Sequence, residues 1–315
     1  MSVSIRPIIP EKDAADIAEL VKTSFRPWLD RENMEYLSSL RDEGLYAERH
    51  PLLSRFSSFP YKLEGVVCRD HDGKLLGLIN SYDFSLNDEP CSLLANICVH
   101  PSRRHEGIAS RMLDEIEKIR RAKGTHSFFL QARLEKPAVI RFYREHGFRV
   151  TDYRETWVLP QRKDRTEPYA GGLRSGPVPR SDMRSFETLL KKAYPLSVLW
   201  NLDCRRDLFQ PGIAAEIRNR IGSVSDCFRR ITDPDERILA WAAYQKHSGF
   251  ADTLWLIPNE GLSAAEYGSV LKYLGSDFIH GKAVRIDIAA GKYTDPLRSA
   301  GFVHMQTLAW MWKKL

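Results

Sequence analysis

The chain has 315 residues and sets 47 Lys and Arg against 41 Asp and Glu, a formal net charge of +6. That length favours two domains over one, and its dispersed basic residues, with no Lys/Arg run interleaved with aromatics, argue against nucleic acid as a partner. Five cysteines (Cys68, Cys91, Cys98, Cys204, Cys227) are widely spaced and never in CxxC, which points to reduced thiols and excludes a disulfide framework or a structural zinc site.

In chain order, Ser4 to Ile9 alternates like a short strand. Asp13 to Phe25 sets Ile17, Leu20, Val21 and Phe25 on one helical face, and a second helix is expected from Arg31 to Arg41. Leu63 to Cys68 and Leu75 to Phe84, joined by Asp70-His71-Asp72-Gly73-Lys74, form an expected β-hairpin, and a third strand follows from Ser92 to Val99. Ile108 to Lys123 is amphipathic and stops at Gly124. A strand from His126 to Arg133, a helix from Pro137 to Glu145 and a strand from Phe148 to Leu159 complete the first half. No apolar run nears the roughly 18 residues of a membrane span, and the opening Met1-Ser2-Val3-Ser4-Ile5-Arg6 lacks the order of a signal peptide. A cytoplasmic protein without membrane association is expected.

A polar stretch from Gln161 to Gly172 reads as a linker, after which the sequence begins again. Leu173-Arg174 resembles Ile5-Arg6, and Asp182, Phe186, Leu189, Leu190, Lys191 and Tyr194 track Asp13, Ile17, Leu20, Val21, Lys22 and Phe25 at one offset. Near the end, Arg298-Ser299-Ala300-Gly301-Phe302 matches Arg144-Glu145-His146-Gly147-Phe148. Matches in the same order at both ends of the unit indicate a duplicated domain.

The stretch Ile97-Cys98-Val99-His100-Pro101-Ser102-Arg103-Arg104-His105-Glu106-Gly107-Ile108-Ala109-Ser110 runs from a strand through a proline turn into a helix. The first N–H groups of a helix lack carbonyl partners and carry the positive end of the helix dipole, so a pyrophosphate fits there. Gly107 and Ala109 keep the approach open and Arg104 adds charge. The segment is neither a P-loop, which needs GK[ST], nor a three-glycine dinucleotide turn.

The combination VxPxxRxxGxA, here Val99 to Ala109, with FYxxxGF, here Phe142 to Phe148, resembles the GCN5-related N-acetyltransferase (GNAT) superfamily. The resemblance covers residues 1 to about 160 and implies an α/β (α+β) fold with a mixed, mostly antiparallel sheet flanked by helices. With the repeat, it implies two tandem acetyltransferase-like domains: a catalytic one at 1–160, a linker at 161–172 and a degenerate copy at 173–315. It further implies acetyl-CoA as cosubstrate and no metal. The backbone at Ile97 and Val99 would pair with the pantetheine, and amides of Arg104, His105, Glu106, Gly107, Ile108, Ala109 and Ser110 would hold the pyrophosphate. Tyr143 would protonate the departing thiolate. Lys136 stands where many members carry an asparagine that bonds the pantetheine, and a lysine donates without accepting.

Strand alternation puts Leu93, Ala95 and Ile97 on the face of Val99, where some members keep a general base, and none of the three can take a proton. Glu64, Asp83 and His100 are the remaining candidates. Cys98 turns to the opposite face as a buried thiol. In the second half the same spacing sets Gly261, Ala264 and Glu266 at the positions of Arg104, Gly107 and Ala109, and Leu297 at that of Tyr143, so the repeat has lost the cofactor machinery. Tyr194 and Trp200 are candidates for an acceptor-cleft wall or for core. The expectation is transfer of an acetyl group to a primary amine on a small molecule or peptide, by a monomer or homodimer. A non-catalytic acyl-CoA sensor or scaffold and an RNA-linked protein are the alternatives.

Overall fold

The structure, a computed structural model, describes residues 3–29, 31–50, 62–161, 169, 171–202, 204, 206–211, 227–247, 249–277 and 282–315. Two compact units emerge, neither contiguous in sequence. Met1–Gln131, Arg141–Arg149 and Met311–Leu315 form the first, and Ala132–Ile140 with Val150–Trp310 form the second. Most of the expected linker, 162–168 and 170, lies outside the described residues.

In the first unit β1 (Ser4–Pro7), β2 (Gly65–Arg69), β3 (Leu75–Leu86) and β4 (Glu89–Val99) follow one another antiparallel, and β5 (Ser127–Arg133) joins β4 in parallel. The chain end returns here, with the Leu315 N–H on the His126 carbonyl at 2.8 Å. The β2–β3 turn closes as expected. The Asp70 carboxylate accepts the N–H groups of Asp72 and Lys74, and Gly73 supplies the left-handed conformation (φ 81°). Helix α1 (Pro10–Phe25) buries Ala14, Ile17, Ala18, Leu20 and Val21 in a core shared with Val67, Leu78 and Cys98. Helix α2 (Arg31–Arg49) runs two turns beyond the expected end at Arg41. Gly44 resembles a stop signal, but its missing side chain serves a close approach: a Cβ there would sit 2.6 Å from the Ala15 backbone nitrogen.

Asp13 shows what fixes α1 on the sheet. Its carboxylate is 0% exposed and accepts from Arg6 at 2.7 and 2.8 Å, Arg69 at 2.7 and 3.2 Å and the Ile9 N–H at 2.7 Å. Burial raises its pKa, but the two guanidinium groups and the amide outweigh burial and hold it below the ordinary value. A depressed folded-state pKa adds stability above the unfolded value and loses it as pH falls through the folded one. Asp13→Ala is therefore expected to cost about 3 kcal/mol at pH 7. In urea denaturation that deficit should narrow below about pH 4, the unfolded carboxyl value; a deficit independent of pH would contradict the assignment.

In the second unit β7 (Arg174–Pro177), β8 (Cys227–Thr232), β9 (Ile238–Gln245) and β10 (Ala251–Pro258) run antiparallel in sequence, and β11 (Ala283–Ala289) pairs with β10 in parallel. Strand β6 (Arg149–Leu159) pairs antiparallel with β11, from Leu159 opposite Val284 to Arg154 opposite Ala289. Its Trp157 and Leu159 pack in a core with Leu254, Ile286 and Leu297. Strand β12 (Val303–Lys314) lies beside β6. The helices are α5 (Met183–Ala193), α6 (Leu196–Leu199), α7 (Ala264–Asp277) and α8 (Thr294–Ser299), with α3 (Ile108–Ala122) and α4 (Pro137–Glu145) earlier in the chain.

The repeat is visible in three dimensions. Asp182, the counterpart of Asp13, accepts from Arg230 on β8 at 3.3 Å, as Asp13 does from Arg69 on β2. The paired glycines end their helices alike. Gly147 (φ 85°) and Gly301 (φ 88°) are both left-handed, and the next amides, Phe148 and Phe302, donate to Tyr143 and Leu297 at 3.0 Å. Each unit is thus a mixed, mostly antiparallel sheet with flanking helices.

Candidate active site

Strand β4 delivers the chain to the site. Its rungs to β5 join Cys91, Ser92 and Leu93 to Ser127, Phe128 and Phe129, whereas β4 continues to Val99. Beyond Leu93 the described residues show no further rungs to β5, and apart from the Val99 carbonyl, which Arg104 takes, that edge is an opening for an extended chain that brings its own amides. On the other edge the register to β3 slips: Cys98 lies opposite Leu78, but Ala95 lies opposite Asn80. Asn96, with φ 51°, is the extra residue of this bulge. The expected alternation is corrected accordingly. Leu93 and Ala95 share the face of Cys98, and only Ile97 stays with Val99.

After Val99 the chain makes one short turn, Pro101–Arg103, steadied by His100 Nδ1 against Ser102 Oγ at 2.8 Å. His105 (φ 68°) and Gly107 (φ 73°) are both left-handed. A Cβ on Gly107 would meet nothing within 4 Å, so glycine is there for its backbone conformation. Helix α3 begins at Ile108 with Gly107 as N-cap and no side chain on its leading amides. Among the described residues the amides of Glu106, Gly107, Ile108, Ala109 and Ser110 find no acceptor. Ile108 is buried and anchors the turn, while Arg104 is exposed and bends its Nε onto the Val99 carbonyl at 3.3 Å. Glu106 would repel a phosphate, but Arg103 grips it at 2.7 and 2.8 Å and holds its carboxyl below the ordinary value.

Tyr143, on α4, is 6% exposed and packs edge-on against Phe142 (5.4 Å) and Phe148 (5.8 Å). Burial raises its pKa, and the neighbouring Cys98 adds to the rise. Its hydroxyl has no partner among the described residues. A phenol in this state keeps its proton across neutral pH. Cys98 is itself buried, with its thiol pushed up to about 12, and is inert as a nucleophile. Lys136 lies exposed in the turn before α4, among the residues of the second unit.

Two of the three candidate bases are engaged elsewhere. Arg120 on α3, 1% exposed, reaches Asp83 at 2.6 Å, Glu64 at 3.0 Å and Ser81 Oγ, and Ser92 donates to Asp83 at 2.5 Å. These carboxylates neutralise a buried guanidinium, a demand that outranks base catalysis. His100 braces the phosphate turn. Asn80 and Asn96, which sequence reasoning passed over, lie at the bulge itself.

The acetyltransferase (GNAT) family model matches residues 21–148, the span that holds β4, the open turn and Tyr143. Residues 21–148 form an acetyltransferase (GNAT) domain. A GCN5-related N-acetyltransferase from Sphaerobacter thermophilus has a similar fold, with a TM-score of 0.58 at 15% identity over 99% of this chain and 95% of that one. The glucosamine N-acetyltransferase region of a fungal multi-domain GH3 β-N-acetylglucosaminidase is similar at 0.56 and 12% identity. There, 99% of this chain is covered but 38% of that one, so the chain spans well under half of that protein. No curated protein matches the sequence. Both structural likenesses run across the two units, and the GNAT fold is present in tandem.

The second unit has the same kinds of element, with the corresponding positions filled in. Strand β10 pairs with β11 only at Ala251–Thr253 and then continues to Pro258. Tyr194 is 2% exposed, and its hydroxyl meets the Leu256 backbone amide on β10. Its ring packs on Trp255 at 5.1 Å and under the Arg154 guanidinium at 5.1 Å. Tyr194 is therefore core, and Trp200 bonds the Ser197 carbonyl and packs on Trp310. Helix α7 caps itself. Glu266 accepts the Ser263 N–H and hydroxyl at 2.8 and 2.7 Å, and the Ser263 hydroxyl accepts the Glu266 N–H at 3.2 Å. Arg237 pairs with the same carboxylate, whose pKa falls to about 2.

Proposed function

We propose that this protein transfers an acetyl group from acetyl-CoA to a primary amine, with the first unit holding the cosubstrate and the second, eroded copy serving as support or as part of the acceptor cleft. The observation that carries this reading is the uncapped start of α3 beside the stretch of β4 beyond its rungs to β5, with Tyr143 kept protonated nearby. Arg104 and the amides from His105 to Ser110 would hold the pyrophosphate, Ile97 and Val99 would offer backbone to the pantetheine, and Lys136 would add a donor. Acetyl-CoA bound there supplies the activated acyl carbon. The protein supplies orientation and a proton for the leaving sulfur from Tyr143. The acceptor is a small molecule or peptide with a free amine; nucleic acid, membrane and metal have no part, and a monomer or homodimer acts alone.

Coenzyme A at 100 times its Kd is expected to stabilise the protein by about 2.7 kcal/mol, seen as a rise in melting temperature. Arg104→Glu with Gly107→Glu should abolish the rise by setting carboxylates and a strained backbone at the phosphate turn. An undiminished rise in the double variant would place the site elsewhere. The engagement of Glu64 and Asp83 by Arg120 favours one second reading, an acyl-CoA sensor without turnover. It predicts the same thermal shift with no thiol release beyond the uncatalysed rate.

A further inference from the structure

The β4 bulge carries a polar pair that the mechanism above leaves unused. Asn80 is 1% exposed; its Nδ2 is 3.4 Å from the Glu64 carbonyl, and its Oδ1 accepts from Asn96 Nδ2 at 3.0 Å. Asn96 is exposed and left-handed (φ 51°), and its own Oδ1 has no partner among the described residues. Burying the Asn80 carboxamide is costly unless its hydrogen bonds are made, and the bond to Asn96 fixes the outer carboxamide as it satisfies the inner one. A left-handed backbone is strained for most residues, and asparagine is among those that tolerate it.

The register locates this carboxamide. Asn80 is two residues along β3 from Leu78, so the two share a face, and Leu78 lies opposite Cys98. Cys98 is within electrostatic reach of Tyr143. The Asn80–Asn96 pair and the Tyr143 phenol therefore belong to one face of the sheet, along the stretch of β4 beyond its rungs to β5.

We infer that Asn96 Oδ1 accepts one N–H of the attacking amine and aims its lone pair at the acyl carbon; the inference rests on the acetyl-transfer reading. In that step the nitrogen lone pair forms the C–N bond and the C–S bond breaks with its electrons on sulfur. Nitrogen loses one proton to solvent, and sulfur gains one from Tyr143, which recovers it from solvent. A neutral carboxamide suits this task. It orients a neutral amine without favouring the ammonium form, as a carboxylate would, and so fits a site whose carboxylates are committed to Arg120.

The test uses the full chain with acetyl-CoA and methylamine, putrescine or glycinamide, following thiol release. Asn96→Gly deletes the carboxamide and eases the backbone, so the fold and the coenzyme A melting shift should be unchanged. Its kcat/KM for amine should fall about 10- to 100-fold, the weight of a hydrogen bond to a reacting polar group. In Asn96→Asp the rising limb of kcat should move to higher pH, because a carboxylate stabilises the bound ammonium. Wild-type kcat/KM in Asn96→Gly, or an unmoved limb in Asn96→Asp, would overturn the inference. Loss of the coenzyme A shift in Asn96→Gly would overturn it in favour of a donor-side role. No coenzyme A shift and no thiol release in the wild type would overturn the acetyl-transfer reading itself, and this inference with it.

Discussion

Tyr143→Phe is expected to lower kcat for acetyl transfer by about 10²- to 10³-fold, the ordinary weight of a positioned proton donor, with the coenzyme A melting shift intact. The hydroxyl has no partner among the described residues, so its removal breaks no hydrogen bond among them and stability should change by less than about 1 kcal/mol. Shape is preserved, and the edge-on packing against Phe142 and Phe148 survives. Only the proton is lost. The pH dependence carries a second expectation. Because burial raises the phenol pKa above its ordinary value, the acid form persists to higher pH than in a free tyrosine. Wild-type kcat should therefore show no falling limb from this group below about pH 10, the unperturbed phenol value. A rate for Tyr143→Phe within threefold of wild type, measured by thiol release at saturating amine, would remove Tyr143 from the chemistry.

The motif residues were legible because their roles are backbone roles. Gly107 must be left-handed, Pro101 must turn the strand, and Ile108 must anchor the helix; each requirement leaves a residue type at a fixed spacing. The helix Pro137–Glu145 was also plain, since a proline start and a glycine stop punctuate it. The bulge at Asn96 was not plain. One inserted residue exchanges the two faces of everything before it, and nothing in the period of Leu93, Ala95 and Ile97 announces the slip; the asparagine was the available signal. Arg120 escaped notice for another reason. Its position on α3 matches a buried stripe, and its partners Glu64 and Asp83 are brought to it by strands far away in sequence. Strand β6 reads in sequence as the close of the first half because it follows the Gly147 stop, yet its partner β11 lies more than a hundred residues on. In the second unit Ser263-Ala264-Ala265-Glu266 is a capping box in plain view, and it explains physically what the spacing argument alone could only count as lost residues.

Arg154→Ala is expected to destabilise the protein by about 3–5 kcal/mol, the cost of stranding a buried charge. The guanidinium is 1% exposed, donates to Asp287 Oδ1 at 2.7 Å, to the Asp287 carbonyl at 3.1 Å and to the Ala193 carbonyl at 2.8 Å, and covers Tyr194. Burial raises the Asp287 pKa, and Arg154 counters the rise. Without the arginine the rise loses its main opponent, with Arg285 and Thr156 left to counter it, so the variant's penalty accumulates as pH climbs from the unfolded carboxyl value and should shrink as pH falls from 7 towards 4. Arg154→Met with Asp287→Leu should recover part of the loss, because no unpaired charge is left behind, although the Ala193 carbonyl and the Thr156 hydroxyl lose their partners. The outcome, read by urea denaturation, separates two ideas of the second unit. A retained ligand site would lose binding with little stability when its arginine is removed, since groups held ready for a ligand contribute little to folding. A slot closed by its own side chains must lose stability, and the Arg154–Asp287 ion pair over the Tyr194 ring would then mark a closed core where the first unit leaves an open turn.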